Sequence, residues 1–310
     1  LSLLRLGTRG SPLALWQARY VAGLLETAHA GTSVEIRVIK TEGDQRTDLP
    51  LTVVGGKGVF VKEIEEALLA REIDLAVHSL KDLPTEQPRG LAVTAVLARH
   101  DPRDALLSPE GWDLASLPRG ATVATGSPRR RCQLMRRRAD LEMTLVRGNI
   151  DTRIRKLREG RFAAMMLAMA GLERLGLREV PAIPLPPEVC LPAPGQGALA
   201  IESRAGDPPV EDAVRVLDDA ATRASVVAER AFLAGLGGGC LAPAAALAVV
   251  RDGVLRLEAM VGDPDGAREI RRAATGAPEA AETIGAALAA EILGAGGNAI
   301  LSAARAEGGG

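Results

Sequence analysis

The hydrophobic positions of this chain switch between a period of two and a period of about 3.6 residues, and those switches lay out its elements. Leu3, Leu4 and Leu6 begin a strand. Ser11 caps a helix whose first position is Pro12, and Leu13, Trp16, Tyr20, Val21 and Leu24 recur at helical spacing. Val34, Ile36 and Val38 alternate as a second strand. A long glycine-bearing loop leads into a helix over 59–70, followed by buried runs at 75–77 and 91–97. Strands and helices alternating in this way predict a mostly parallel sheet covered on both faces.

Asp101-Pro102-Arg103 reads as a crossover, after which the pattern restarts. Strands are expected at 122–124, 144–146 and 163–167, with a basic helix from Pro128. The proline-rich stretch 181–194 reads as a linker. A strand at 198–201 and a helix at 210–217 read as a return to the first domain. From about residue 222 the order becomes helix, three alternating strands near Ala245, Leu255 and Glu269, and an alanine-rich helix. The expected class is α/β, with one domain from 1–98 and 198–217, a second from 99–197, and a smaller α+β domain from 218–310. No internal repeat is apparent, and Gly308-Gly309-Gly310 is expected to be disordered.

Composition narrows the function. Net charge is −1 and aromatics make up 2% of residues, so neither a whole-molecule field nor stacking platforms favour a nucleic-acid partner. The longest apolar runs, such as 242–250 with its Pro243, are too short to cross a bilayer, and no secretory signal is visible. Cys132, Cys190 and Cys240 form no CxxC pair, and an odd count fits a reducing cytosol. His29, His78 and His100 stand at no metal-ligand spacing from them, so no metal is expected.

Anion-binding side chains recur at the carboxyl ends of the expected strands, where open α/β sheets bind ligands. Thr8, Arg9 and Ser11 follow the first strand at the start of a helix. Ser79-Leu80-Lys81-Asp82 follows the central one. Thr125, Ser127, Arg129 and Arg130 open the basic helix, and Arg147-Gly148-Asn149 ends the next strand, with Arg153 one turn into its helix. A lone surface arginine is usually just solvated. Four such groups at equivalent strand ends point to a basic cleft that grips carboxylates or phosphates through arginine's planar fork. Arg136, Arg137 and Arg138, at the far end of the basic helix, read as a solvated face where cations are favoured, rather than as a nucleic-acid patch.

Three features each carry two readings. Asp82 is either a helix cap or salt-bridge partner, or a carboxylate kept ionised to shuttle a proton or hold developing positive charge. Gly55-Gly56-Lys57-Gly58 lacks the spacing of a phosphate loop and reads better as a flap, with Lys57 and Phe60 available to touch ligand. Cys240 follows three glycines; an unpaired cysteine is usually a small core residue, but a triple-glycine turn packs poorly and favours a chemically used sulfur.

Together these segments resemble the porphobilinogen deaminase, or hydroxymethylbilane synthase, family over almost the whole chain. The resemblance is carried by Thr8-Arg9-Gly10-Ser11-Pro12-Leu13-Ala14, Gly55-Gly56-Lys57-Gly58 and Val77-His78-Ser79-Leu80-Lys81-Asp82-Leu83-Pro84. Asp101-Pro102-Arg103-Asp104, Arg147-Gly148-Asn149, Pro194-Gly195-Gln196-Gly197 and Gly239-Cys240 complete it. It implies two doubly wound domains of the periplasmic solute-binding type plus a smaller α+β domain. It also implies a dipyrromethane cofactor joined by a thioether to Cys240. Four porphobilinogen units add to it in turn, each losing ammonia, and hydrolysis releases the linear tetrapyrrole. Arg9, Ser11, Lys81, Ser127, Arg129, Arg130, Arg147 and Arg153 match the family's carboxylate-binding positions, and Ser79, Thr125 and Gln196 are grouped with them. Asp82 matches its catalytic aspartate, which stabilises the charge of an azafulvene shared with the pyrrole nitrogen. Some relatives carry a lysine where this chain has Val53. The implied partner is porphobilinogen, with no nucleic acid and no membrane, for a cytoplasmic monomer.

Two other readings share parts of this pattern. A solute-binding module needs the cleft arginines but neither Asp82 nor Cys240. A nucleic-acid protein needs one basic face with stacking aromatics.

Overall fold

The computed structural model describes residues 3–41, 61–237 and 243–308. The chain divides into two compact units, Leu1–His100 with Ala198–Ala224, and Asp101–Gly197 with Ser225–Gly310.

The first unit is built on β1 (Leu3–Thr8), β2 (Ser33–Val38), β3 (Leu75–Ser79), β4 (Leu91–Val96) and β10 (Leu199–Arg204), in the order β2-β1-β3-β10-β4. β1, β2 and β3 run parallel, whereas β10 is antiparallel to both of its neighbours. Alternation along each strand sends side chains to opposite faces. Leu4, Leu6, Leu75, Val77, Leu199 and Ile201 meet helices α1 (Pro12–Ala28) and α6 (Pro208–Arg215). Ala76 leaves the other face and meets Ile64, Ala67 and Leu68 of α2 (Lys62–Leu69).

In the second unit β5 (Asp104–Leu107), β6 (Thr122–Ala124), β7 (Glu142–Thr144), β8 (Ala164–Ala168) and β9 (Ala182–Pro184) form a sheet of order β7-β6-β8-β5-β9. β6, β7 and β8 are parallel, and β5 is antiparallel to β8 and β9. Ala105, Leu107, Met165 and Leu167 pack beneath α4 (Ile150–Arg158) and α5 (Met169–Leu175). Leu106, Ala164 and Met166 face Leu134 of α3 (Pro128–Arg137).

In each sheet four of the five strands therefore point one way, as expected, and one runs against them, and the two sheets share one connectivity. In each, the antiparallel strand is the first that the chain forms after it changes unit. A sequence motif follows the duplication. Gly10-Ser11-Pro12 and Gly126-Ser127-Pro128 both stop a strand and start a helix. Ser11 Oγ accepts from the Ala14 amide at 3.3 Å and Ser127 Oγ from the Arg130 amide at 3.4 Å. The repeat not apparent in the sequence is a repeat of topology.

The stretch expected to be a linker supplies β9. Its Pro184 is tolerated because β9 is an edge strand, where a missing N–H leaves no ladder bond unmade. β5 and β9 are too short for any periodicity to show.

The second unit also contains a three-stranded antiparallel sheet of β11 (Ala244–Arg251), β12 (Val254–Gly262) and β13 (Glu269–Gly276). With it go α7 (Ala220–Gly235), α8 (Ala281–Ile292) and α9 (Asn298–Gly308). This is the expected α+β arrangement, although α9 extends to Gly308. Pro278–Ala304 is long and apolar enough to span a membrane by length and composition, but Gly296 interrupts it at φ 108°. Gly285 seats it closely on α7: a Cβ there would collide with the Ala228 carbonyl.

Candidate active site

The first unit presents Asp82 at the end of a buried strand. β3 finishes at Ser79, and Leu80–Asp82 form a single tight helical turn. Leu80 and Leu83 are 2% and 4% exposed, and the Leu80 amide donates to Ala198 O at 3.1 Å. Two buried leucines thus flank the polar pair and hold Lys81 and Asp82 outward. The Asp82 carboxylate is exposed and makes no hydrogen bond or ion pair among the described residues. The capping and salt-bridge readings of Asp82 find no partner there.

The neighbouring positions are more committed. Ser79 Oγ accepts from Gln17 Nε2 at 2.8 Å, Ser11 caps α1, and Thr8 is buried with its hydroxyl on Ala14 O at 3.2 Å. Arg9 and Lys81 are half-buried.

In the second unit the carboxyl ends of β6 and β7 carry the predicted set. Thr125 is buried, and its Oγ1 accepts from the Ser127 amide at 3.2 Å, shaping the turn that aims α3. Arg147 and Arg153 are half-buried beyond β7. Gly148, at φ 106°, makes a bend that L side chains rarely adopt. Arg153 Nε donates to Gly148 O at 2.7 Å, and Asn149 Oδ1 caps α4 by accepting from the Thr152 amide at 2.9 Å.

Arg129 and Arg130 lie deeper than the sequence suggests, at 4% and 7% exposed. Both converge on Asp104, which is fully buried at the start of β5. Arg129 Nη1 donates to Asp104 Oδ2 at 2.6 Å and to Leu191 O at 2.8 Å. Arg130 donates Nε and Nη2 to Asp104 Oδ1 at 2.9 and 2.7 Å, and Nη1 to Met166 O at 3.0 Å. Gln196 joins them, Nε2 donating to Asp104 Oδ1 at 2.9 Å and to Pro102 O at 2.7 Å.

Burial alone would raise the pKa of Asp104, but the two guanidinium charges overcome it and hold the carboxyl well below the usual range. Two guanidiniums against one carboxylate leave one positive charge in excess inside this cluster. Nε and Nη2 of Arg129 make no hydrogen bond among the described residues. The donor set that remains suits an anion such as a carboxylate or phosphate.

Asp104 is the residue that motif reading passed over as a functional group. Its signal was an acid opening the apolar run Ala105-Leu106-Leu107. The far arginines also do more than face solvent. Arg138 donates to Asp140 and to the Leu114 and Leu117 carbonyls, Arg137 to Glu188 O, and Arg136 to Gly266 O.

Cys132 and Cys190 are buried, and burial foremost pushes both thiols up to about 12. Neither is a ready nucleophile. Cys240, Lys57, Phe60 and Val53 lie outside the described residues. No cluster of potential metal ligands occurs among the described residues.

The model of the porphobilinogen deaminase dipyrromethane cofactor binding domain matches residues 4–212, and that of the porphobilinogen deaminase C-terminal domain matches residues 224–294. The chain belongs to the porphobilinogen deaminase family. It is 50% identical over 299 residues to the porphobilinogen deaminase of Roseiflexus castenholzii, covering 96% of this chain and 98% of that one. It is also 50% identical over 314 residues to that of Acidothermus cellulolyticus, covering 99% and 94%. Among solved structures, the probable amino-acid ABC transporter extracellular-binding protein ytmK of Bacillus subtilis aligns with a TM-score of 0.42 at 8% identity, over 70% of this chain and 90% of that one.

Membership carries the family's activity, that of a porphobilinogen deaminase (hydroxymethylbilane synthase), a transferase of tetrapyrrole biosynthesis that uses a dipyrromethane cofactor.

Proposed function

We propose that Asp82 is the catalytic carboxylate of this porphobilinogen deaminase, and that the arginine set holds the carboxylates of substrate and cofactor. The observation that carries this reading is Asp82 itself, an exposed and unpaired carboxylate on a turn fixed by two buried leucines. As ammonia leaves porphobilinogen, positive charge spreads to the pyrrole nitrogen. A carboxylate already positioned at that N–H stabilises the charge without reorganising.

Each substrate unit carries an acetate and a propionate, so the growing chain accumulates negative charge. Arg9, Ser11, Lys81, Thr125, Ser127, Arg147 and Arg153 bind it. Arg129 and Arg130 contribute the excess charge of their cluster, which Gln196 braces through Asp104 and Pro102 O, and Ser79 is a further cofactor- or substrate-binding position at the end of β3. When bound, the dipyrromethane supplies the pyrrole carbon to which the first of four units is joined.

Cys240 is proposed as its thioether anchor, because the other two thiols are buried and held protonated. Residues 218–310 form the third domain that carries this anchor, beside 1–98 with 198–217 and 99–197. Lys57 and Phe60 serve as ligand contacts from a flap. The protein acts as a cytoplasmic monomer without nucleic-acid or membrane partners; its near-neutral charge and scarce aromatics speak against the nucleic acid.

Turnover and melting of Asp82→Ala test the central assignment. Loss of a pre-positioned carboxylate at a cationic transition state lowers the rate by roughly 10²–10³-fold, with melting unchanged. Retained turnover with stability lower by about 1 kcal/mol would instead make Asp82 a cap.

A further inference from the structure

The first unit buries a second set of titratable side chains that the proposed chemistry leaves unused. The register of β10 on β3 places Ala200 opposite His78 and Glu202 opposite Ala76. His78 and Glu202 therefore leave the same face of the sheet as Ala76, the face covered by α2. His78 Nε2 lies 3.0 Å from Glu202 Oε2, and the two residues are 6% and 0% exposed. The other oxygen, Glu202 Oε1, is buried with no hydrogen-bond partner. A buried acceptor left unmade is costly, and each case in a native structure calls for a reason.

α2 packs on this face through Ile64, Ala67 and Leu68, and its first turn carries Glu63 and Glu65. Burial first, and then the charge of Glu202, push Glu65 up to about 7, with Glu66 adding to the rise and His78 opposing it. The nearest guanidinium on β10, Arg204, is already engaged by Asp74, Asp207 and the Leu68 and Ile73 carbonyls.

The location of this cluster gives it a use. His78 directly precedes Ser79, where β3 ends and the Asp82 turn begins. The backbone ladder sets register, but apolar packing beside it is non-directional. A buried hydrogen-bonded pair tolerates displacement poorly, because any shift leaves a buried polar group without its partner.

We propose that His78 and Glu202 are positioning residues for Asp82. Their hydrogen bond ties the end of β3 to β10. This inference rests on the reading of Asp82 as the catalytic carboxylate.

The test uses cofactor-loaded enzyme, its loading checked by intact mass. His78→Leu removes the donor, Glu202→Gln removes the charge with little change of shape, and His78→Gln restores an N–H near the position of Nε2. His78→Leu and Glu202→Gln should lower kcat roughly tenfold or more with KM within about twofold, and His78→Gln should recover most of the loss.

Glu65 beside the pair has its own readout. A pKa raised by folding contributes stability that is full below about pH 4.5, the ordinary value, and lost as pH rises through about 7. The pH dependence of Tm between those limits should therefore flatten in Glu65→Gln.

Wild-type kcat in both His78→Leu and Glu202→Gln, even with lowered Tm, would make the pair structural and overturn the proposal. So would failure of His78→Gln to recover kcat. Undiminished turnover in Asp82→Ala would instead remove the reading on which it rests, and the two failures are told apart by which variant keeps its rate.

Discussion

At the scale of single residues, burial separates side chains that look alike in sequence. Arg130 and Arg147 each follow a strand as members of the carboxylate-binding set, and sequence reasoning treats them alike. The structure gives Arg130 the buried Asp104 as a partner and leaves Arg147 half-buried. Arg130→Leu strips Asp104 of one of its two compensating charges, and breaking a buried pair typically costs about 3–5 kcal/mol. Arg147→Leu should keep its melting temperature but lose turnover, since a charge-assisted hydrogen bond is worth about 1.5–3 kcal/mol, roughly ten- to a hundred-fold. Urea unfolding and turnover of the two variants check this; equal stability in both would mean that Asp104 does not depend on Arg130. Asp104 contributes to the acid side of the stability curve, alongside Asp74 and Asp101. Its folded pKa is depressed, so its contribution is present above the ordinary carboxylate value and lost as pH falls towards the folded one. Asp104→Asn should flatten the fall of Tm below about pH 4, the unperturbed aspartate range.

Elements show which parts of the fold were legible. α1 and α3 were readable because each announces itself locally with a serine cap and a proline at the first position. Ser11→Ala or Ser127→Ala should each cost about 1 kcal/mol by denaturant unfolding. β5 and β9 were not readable, because a four-residue buried run and a three-residue strand have no periodicity, and their place depends on partners far along the chain. The packing of α3 on β12 was equally invisible. A Cβ on Gly262 would collide with Cys132 Sγ, so Gly262→Ala should destabilise by about 1–3 kcal/mol through overpacking. Cys132→Ala in the same chain should recover part of that loss, and a double-mutant cycle measures the coupling. Strict additivity would show that the two positions do not share that space.

For the whole molecule, the strongest expectation concerns mass. The purified enzyme should be heavier than its sequence by about two pyrrole units carried on Cys240, because a tethered chain makes every later addition effectively intramolecular. Cys240→Ser should lose the added mass and the activity, while Cys132→Ser and Cys190→Ser keep both; an active enzyme of bare-sequence mass would remove the anchor from the scheme. The family, the activity and the strand ends that carry polar side chains were all legible in sequence, because they depend on residue type and order along the chain. Tertiary structure alone decided that both sheets are mixed and share one connectivity, since pairing direction depends on contacts between distant segments. It also decided that Arg129, Arg130 and Gln196 converge on Asp104, and that His78 meets Glu202. Those partners lie 25 to 124 positions apart. A charge is set by its residue, but whether it is spent on the fold or left for a ligand depends on what the fold brings beside it.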